Sequence, residues 1–274
     1  MEKGAIVGSQ SVILCERILN TPARSMSLAG FLYRRDYGER WTTMGTVTAE
    51  QVRSSVEDYS SGFPEGSELH YFEVSLPKAN DNYTYLFLKR TFDVAVSAVL
   101  IVLLALPMLF IAILIRLDSP GPALFRQERL GKDGQPFTIL KFRSMRLDAE
   151  ENGPQWADKD DPRCTHLGRV LRKSRLDELP QLWNILKGDM SFVGPRPERK
   201  CFYDEFETYI HGFHNRLVVK PGLTGWAQVN GGYDLKPEEK IVFDMEYIQK
   251  QSLGLDLKCI FQTVHLIFTH EGAR

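Results

Sequence analysis

The stretch VAVSAVLIVLLALPMLFIAILI, residues 94–115, runs for roughly 22 residues without a charge, and as a helix it would measure about 33 Å. That length crosses or enters a bilayer. Lys89 and Arg90 stand before it, Arg116 follows it, and Pro107 lies slightly past its midpoint. Positive residues at both ends choose no orientation. A proline inside a helix removes one i→i−4 hydrogen bond and bends the axis. The segment can then turn back and bring both ends out on one face, provided neighbouring groups satisfy the freed carbonyl. An ordinary kinked span and a buried core helix are the alternatives that composition leaves open. With 93 residues ahead of it, the segment is too late for a signal peptide, so the first 90 residues are expected to stay on the side of synthesis.

Outward from this segment the composition is unremarkable. Over 274 residues, 34 Lys and Arg face 35 Asp and Glu, a formal net charge of −1, so no bulk charge argues for nucleic acid and any polyanion site must be local. The hydrophobic fraction of 43% and charged fraction of 25% suit one large or two small globular domains. A mean hydropathy of −0.24 conceals the apolar stretch. Cys15, Cys164, Cys201 and Cys259 lie far apart with no CxxC, which supports neither a zinc knuckle nor a disulfide framework and fits reduced thiols.

Residues 1–80 read as a small α/β module. AIVGSQSVILCERIL suggests a strand, a glycine turn and a helix, and SLAGFLYRRD a second strand. GxGxxG is absent, since Gly8 is followed by Ser9 and Gln10, so a nucleotide site there is weakly supported. The polar run 77–82 reads as a linker. Beyond the apolar segment, 16 Lys and Arg face 13 Asp and Glu over residues 116–199. The excess gathers in 126–146, which contains Lys141 and Arg143, and in 163–175, which holds five bases and no acid. Strands are expected at 123–126 and 137–142, and helices at 167–174, 179–186 and 199–207. That order favours an α+β catalytic domain over 118–274, with the membrane helix at 86–117. A last helix at 253–268 places Leu253, Leu257, Ile260, Phe261, Val264, Ile267 and Phe268 near one face.

Three motifs carry chemistry. In RKSRLDELPQLWNIL, the adjacent carboxylates Asp177 and Glu178 precede Pro180, which by itself describes an ordinary helix N-terminus. The bases Arg172, Lys173 and Arg175 just upstream would stabilise the carboxylates and attract an anionic substrate. A carboxylate nucleophile beside a metal-binding carboxylate then becomes attractive. In GDMSFVGPRPERK the rigid Gly194–Pro197 turn fixes the direction of Arg196, whose fork suits phosphate oxygens. KPGLTGWAQVNG supplies Lys220, Trp226, Gln228 and Asn230 on a Gly- and Pro-rich loop, with donors and a flat ring suited to a nucleotide or sugar.

In order, FLKRTFDV, DSPGPALFRQERLGKDGQPFTILKFRSM, DELPQLWNILKGDMSFVGPRP, KPGLTGWAQVNG and LGLDLKCIFQT resemble the monotopic bacterial phosphoglycosyl transferases over residues 86–268. The resemblance implies a monotopic protein with a re-entrant kinked helix and a cytosolic catalytic domain, seated by interfacial amphipathic helices on the cytoplasmic face of the bacterial inner membrane. It implies transfer of a sugar-1-phosphate from a UDP-sugar to undecaprenyl phosphate with release of UMP, a covalent enzyme intermediate, Mg²⁺ dependence, and a place at the start of exopolysaccharide, capsule or other glycoconjugate assembly. By position, Asp177 matches the nucleophile and Glu178 its metal-site partner. Arg172 and Arg196 match phosphate-holding positions, with Lys141 and Arg143 added from the neighbouring basic stretch. Lys89 and Arg90 match the basic pair where the helix enters the membrane, and Pro107 the helix breaker. Lys220 departs from the arginine of many relatives, and residues 1–80 are too few for the full upstream module of large relatives. Further candidate partners are a second copy and other glycan-assembly enzymes. The rivals are a silent membrane-docked scaffold and a direct transferase that releases UDP. Glucose and galactose lead the candidate sugars by analogy alone.

Overall fold

Asn82 starts the long helix of the protein: its side chain accepts from the Tyr85 amide at 3.2 Å, and helix α1 then runs Tyr83–Asp118. The computed structural model describes residues 32–33, 42–43, 72–151, 153, 161–231 and 235–269. Apart from the two-residue strands β1 (Leu32–Tyr33) and β2 (Thr42–Thr43), most of the module expected over 1–80 lies outside the described residues. Strand β3 (Phe72–Glu73) precedes α1.

At 36 residues, α1 would be about 54 Å long if straight, and it continues through Pro107. One side of α1 presents Val99, Val102, Leu106, Phe110 and Ile113, all exposed and spaced three or four residues apart, with Leu103 beside them. Such an unbroken apolar stripe belongs in lipid rather than water. The other side lies on the folded unit along its length. Arg90 donates to the Ile185 and Leu186 carbonyls at 2.7 and 2.8 Å, and Asp93 accepts from the Phe192 amide at 3.0 Å. In the middle, Leu100, Ile101 and Leu104 meet Leu182, Ile185 and Met190. At the far end, Ile111 and Ile115 pack with Phe142 and Leu171.

After α1 come the antiparallel strands β4 (Leu124–Leu130) and β5 (Pro136–Phe142), in register from Leu124 opposite Phe142 to Leu130 opposite Pro136. The full register carries β4 four residues beyond the end expected from sequence. Helix α2 (His166–Lys173) is followed by a 3₁₀ turn at Leu176–Glu178, helix α3 (Gln181–Lys187), strand β6 (Ser191–Val193) and helix α4 (Lys200–Glu207). Strand β7 (Ile210–His211) pairs in parallel with β3, and β8 (Gly222–Thr224) in parallel with β6. Helices α5 (Trp226–Gly231), α6 (Pro237–Gln249) and α7 (Leu253–Thr269) complete the chain. The largest apolar cluster joins Tyr203, Phe206, Phe213, Ile241, Ile248 and Cys259.

Helix α7 exposes Leu253, Leu257, Phe261, Val264 and Ile267, while Ile260 packs toward the core instead of sharing that face, and the Phe268 side chain lies outside the description. A buried polar knot ties α7 to α1. Asp256 accepts from Tyr247 at 2.7 Å, Lys89 at 2.8 Å and Tyr85 at 3.0 Å.

Candidate active site

Arg175 ends α2 in a left-handed conformation, φ 57°, and this reversal throws Leu176–Glu178 into a tight turn before Pro180 starts the next helix. The turn buries both carboxylates, Asp177 and Glu178, at the wall of the domain. Glu178 is held: its Oε1 accepts from Arg196 at 2.5 Å and from Lys141 at 3.2 Å. Arg196 reaches it from the Gly194–Pro197 turn that follows β6, and Lys141 from β5. That turn lies tightly on the next loop, since a Cβ on Gly194 would fall 2.4 Å from the Lys220 carbonyl oxygen. Only glycine fits there.

The two acids are driven apart. Burial pushes Asp177 up, to about 6, and the neighbouring Glu178 charge adds to it, against the pull of Lys141, Arg172 and Arg196. Burial would raise Glu178 as well, but Arg196 and Lys141 outweigh it and hold the carboxylate well below its ordinary range. Among the described residues, no hydrogen bond or ion pair fastens the Asp177 carboxyl. One member of the pair is therefore a fixed anion, and the other a desolvated, unfastened one.

Asp177 faces a cavity of about 410 Å³ whose wall carries eleven Arg and Lys side chains against three acids. This is a local polyanion site in a chain of near-zero net charge. Lys141, Arg172 and Arg196 line it together with Asp177, as the sequence led us to expect, and the Arg172 guanidinium also donates to Cys164 Sγ at 3.3 Å. Arg143 differs. It too lines the cavity, but its guanidinium donates to the Pro120 and Ser119 carbonyls at 2.6 and 2.7 Å, with a longer bond to Ile115, so it also caps the C-terminal end of α1.

The KPGLTGWAQVNG loop divides. Gln228 lines the cavity, whereas Lys220, Trp226 and Asn230 are not among its lining residues. Trp226 donates to Glu246 at 2.8 Å, and Asn230 to the Trp226 carbonyl at 2.7 Å. Lys220 sits by Gly188, where a Cβ would lie 3.6 Å from its Nζ and 3.2 Å from Arg90 Nη2. Burial and the Arg90 charge push its ammonium down. Lys89 and Arg90 act as the tethers of α1 described above rather than as cavity residues.

The deep end of the cavity brings residues that sequence reading passed over. Glu198, directly after the Pro197 turn, pairs with Arg129 at 3.1 Å and Lys240 at 3.9 Å. Burial pushes Glu198 up, but Lys240 and Arg129 prevail and keep it ionised. Arg216 lines the same end and pairs with Asp244 at 2.5 Å. Arg129 and Glu198 stood inside recognised blocks. Lys240 and Asp244 stand in helix α6, a stretch that the sequence analysis did not single out.

Among the described residues no cluster of three His, Cys, Asp or Glu is present. A divalent oxygen-seeking ion needs less than that, because one or two carboxylates plus substrate phosphates suffice for Mg²⁺. Asp177 and Glu178, the latter with one oxygen committed to cations, are a donor set of that kind.

A family model described as bacterial sugar transferase matches residues 84–270. The chain is 44% identical over 208 residues to the UDP-N-acetylgalactosamine-undecaprenyl-phosphate N-acetylgalactosaminephosphotransferase of Aeromonas hydrophila, covering 75% of this chain and 49% of that protein. It is 41% identical over 191 residues to the UDP-glucose:undecaprenyl-phosphate glucose-1-phosphate transferase of Escherichia coli, covering 68% and 41%. To the Caulobacter vibrioides protein of the same name it is 45% identical over 192 residues, covering 68% and 71%. The chain thus spans about half or less of the first two relatives.

Proposed function

This chain belongs to the bacterial sugar transferase family, and from that membership and the cavity we propose that it transfers a sugar-1-phosphate from a UDP-sugar to undecaprenyl phosphate, releasing UMP. The observation that carries the reading is Asp177, an unfastened buried carboxylate facing a basic cavity beside a carboxylate locked by two cations.

In the first step an Asp177 oxygen attacks the β-phosphorus of the UDP-sugar. A new oxygen–phosphorus bond forms, the bond to the bridging oxygen breaks, and UMP leaves with that electron pair. In the second step an oxygen of the polyprenyl phosphate attacks the same phosphorus, and Asp177 leaves as a carboxylate. Burial leaves Asp177 poorly hydrated and hence a better nucleophile. Arg172, Lys141 and Arg196 sit where charge gathers on the phosphoryl oxygens. Glu178 holds Lys141 and Arg196 in place and, by its charge, keeps Asp177 basic. Asp177 and Glu178 would hold Mg²⁺, which when bound supplies charge neutralisation for the diphosphate.

The reading includes a re-entrant α1 seated from the cytoplasmic face, supported by the attachment of both ends of the helix to one folded unit. Relatives named for different sugars leave the donor sugar to experiment.

Asp177→Asn keeps the shape and removes the attacking charge. Turnover should fall by several orders of magnitude, and incubation with labelled UDP-sugar alone should mark the wild type and leave the variant unmarked. Equal labelling of both would place the covalent step elsewhere. Release of UDP in place of UMP would favour direct transfer, and release of neither a scaffold.

A further inference from the structure

The cavity lip carries exposed apolar side chains that neither the dyad nor the phosphate cations account for. Leu147 is 66% exposed and also lines the cavity that holds Asp177. Its two Cδ atoms lie against Gly121, where a Cβ would fall 3.1 and 3.2 Å from them. Gly121 is three residues past the end of α1, with φ +115°, and a Cβ there would overlap Arg143 Nη1. Phe125, on β4, is also exposed and lines the same cavity. Two exposed apolar side chains thus line a cavity of positive charge, and one of them, Leu147, packs on the chain just after it leaves the lipid-facing helix.

Two cations line the cavity near Leu147. Arg146, next to Leu147 in sequence, is largely exposed, with its Nε 3.4 Å from Asp148 in an exposed pair that an incoming phosphate can replace. Arg163 is fixed in direction by Asp161, to which its Nε and Nη2 donate at 2.8 and 2.5 Å.

We propose that this lip is the acceptor channel: the first isoprene units of a polyprenyl phosphate rest on Leu147 and Phe125 while its phosphate passes inward by Arg146 and Arg163 to Asp177. The identity of the lipid rests on the transfer function above. Two facts favour an isoprenoid phosphate over the nucleotide sugar. A soluble donor has no apolar chain to cover Leu147 and Phe125. A membrane lipid leaves the bilayer headgroup first, so its chain needs apolar surface near the membrane helix, and Leu147, packed on Gly121 three residues past the end of α1, supplies it. Charge complementarity then selects a phosphate headgroup.

The test uses Leu147→Glu, with Leu147→Met as the conservative control, in the full-length protein. Labelling by UDP-sugar alone should match the wild type in both variants. With long-chain polyprenyl phosphate, kcat/KM should fall about tenfold or more in Leu147→Glu, as expected for setting a charge against the isoprene chain that would cover this position, and stay near normal in Leu147→Met. A polyprenyl phosphate carrying a photoreactive group in its first isoprene units should crosslink the 143–149 stretch of the wild type. Loss of donor labelling in step with turnover, unchanged kcat/KM, or crosslinks confined to α1 or α7 would each overturn the channel. If the wild type releases UMP from no UDP-sugar, the transfer reading fails instead, and the crosslink still decides whether the lip binds the lipid.

Discussion

Arg196 and Arg172 converge on Asp177 from different directions, one from a proline-locked turn and one from the last turn of α2. Each should give a charge-assisted contact to phosphate, so Arg196→Ala and Arg172→Ala should each lower kcat/KM by roughly tenfold to a few hundredfold, about 1.5–3 kcal/mol. Arg196→Ala should cost more, because it also frees Glu178 from its strongest partner. Steady-state kinetics with UMP detection measures both, and near-normal values would remove the clamp. Chelation is the companion measurement: exhaustive EDTA should abolish UMP release and Mg²⁺ restore it, whereas full activity without metal would leave Lys141, Arg172 and Arg196 to neutralise the diphosphate alone. Much of this site was legible from the chain, because acids beside a basic run, and an arginine between prolines, carry their chemistry in local order. The second attachment of Arg143 was not. A guanidinium in a basic stretch looks the same whether or not it also meets a helix end, and only the fold brings Arg143 to the carbonyls that follow α1. Lys240 and Arg216 were hidden for a related reason, since their partners Glu198 and Asp244 are distant in sequence.

At the scale of elements, one carboxylate fastens α7 to α1 and α6. Asp256 gathers Tyr85 and Lys89 from α1 and Tyr247 from α6, all within 3.0 Å. Asp256→Ala would leave two hydroxyls and an ammonium in poorly hydrated surroundings, a loss of about 3 kcal/mol, or about 6–12 °C in Tm for a chain of this size. Lys250→Ala, which removes an exposed i,i+4 pair with Glu246, should leave Tm nearly unchanged. Thermal unfolding in detergent reads the contrast, and equal shifts would show that the knot contributes no more than a surface pair. Helical periodicity in sequence located α7 and its exposed apolar residues Leu257, Phe261 and Val264, but not Asp256. The reason is that periodicity reports which face is apolar, while a single buried acid on that helix gains its meaning only from Tyr85 and Lys89, about 170 residues away in sequence.

At the scale of the whole molecule, the long helix poses a conflict between composition and attachment. Its length and apolar stripe are enough to cross a bilayer, yet Arg90 and Asp93 near its start and Ile111 and Ile115 near its end are fastened to the same folded unit. A straight span would put one of these sets of contacts on the far side of the membrane. That would leave the Arg90 guanidinium without its carbonyls, or the end of α1 without Phe142, Leu171 and Arg143. Composition supplied the segment and the proline but not this constraint, because the residues that hold the ends lie far from α1 in the chain. Single cysteines at Lys78, just ahead of α1, and at Lys250, between α6 and α7, in a background lacking the four native cysteines, should therefore react from the same side. In intact cells an impermeant thiol reagent should reach neither, and after permeabilisation it should reach both. Pro107→Ala restores the missing amide donor and favours a straight helix, so a fraction of that variant should expose one of the two positions to the outside. Opposite accessibility of the two positions in the wild type would establish an ordinary span, and the contacts at one end of α1 would then have to break in the membrane.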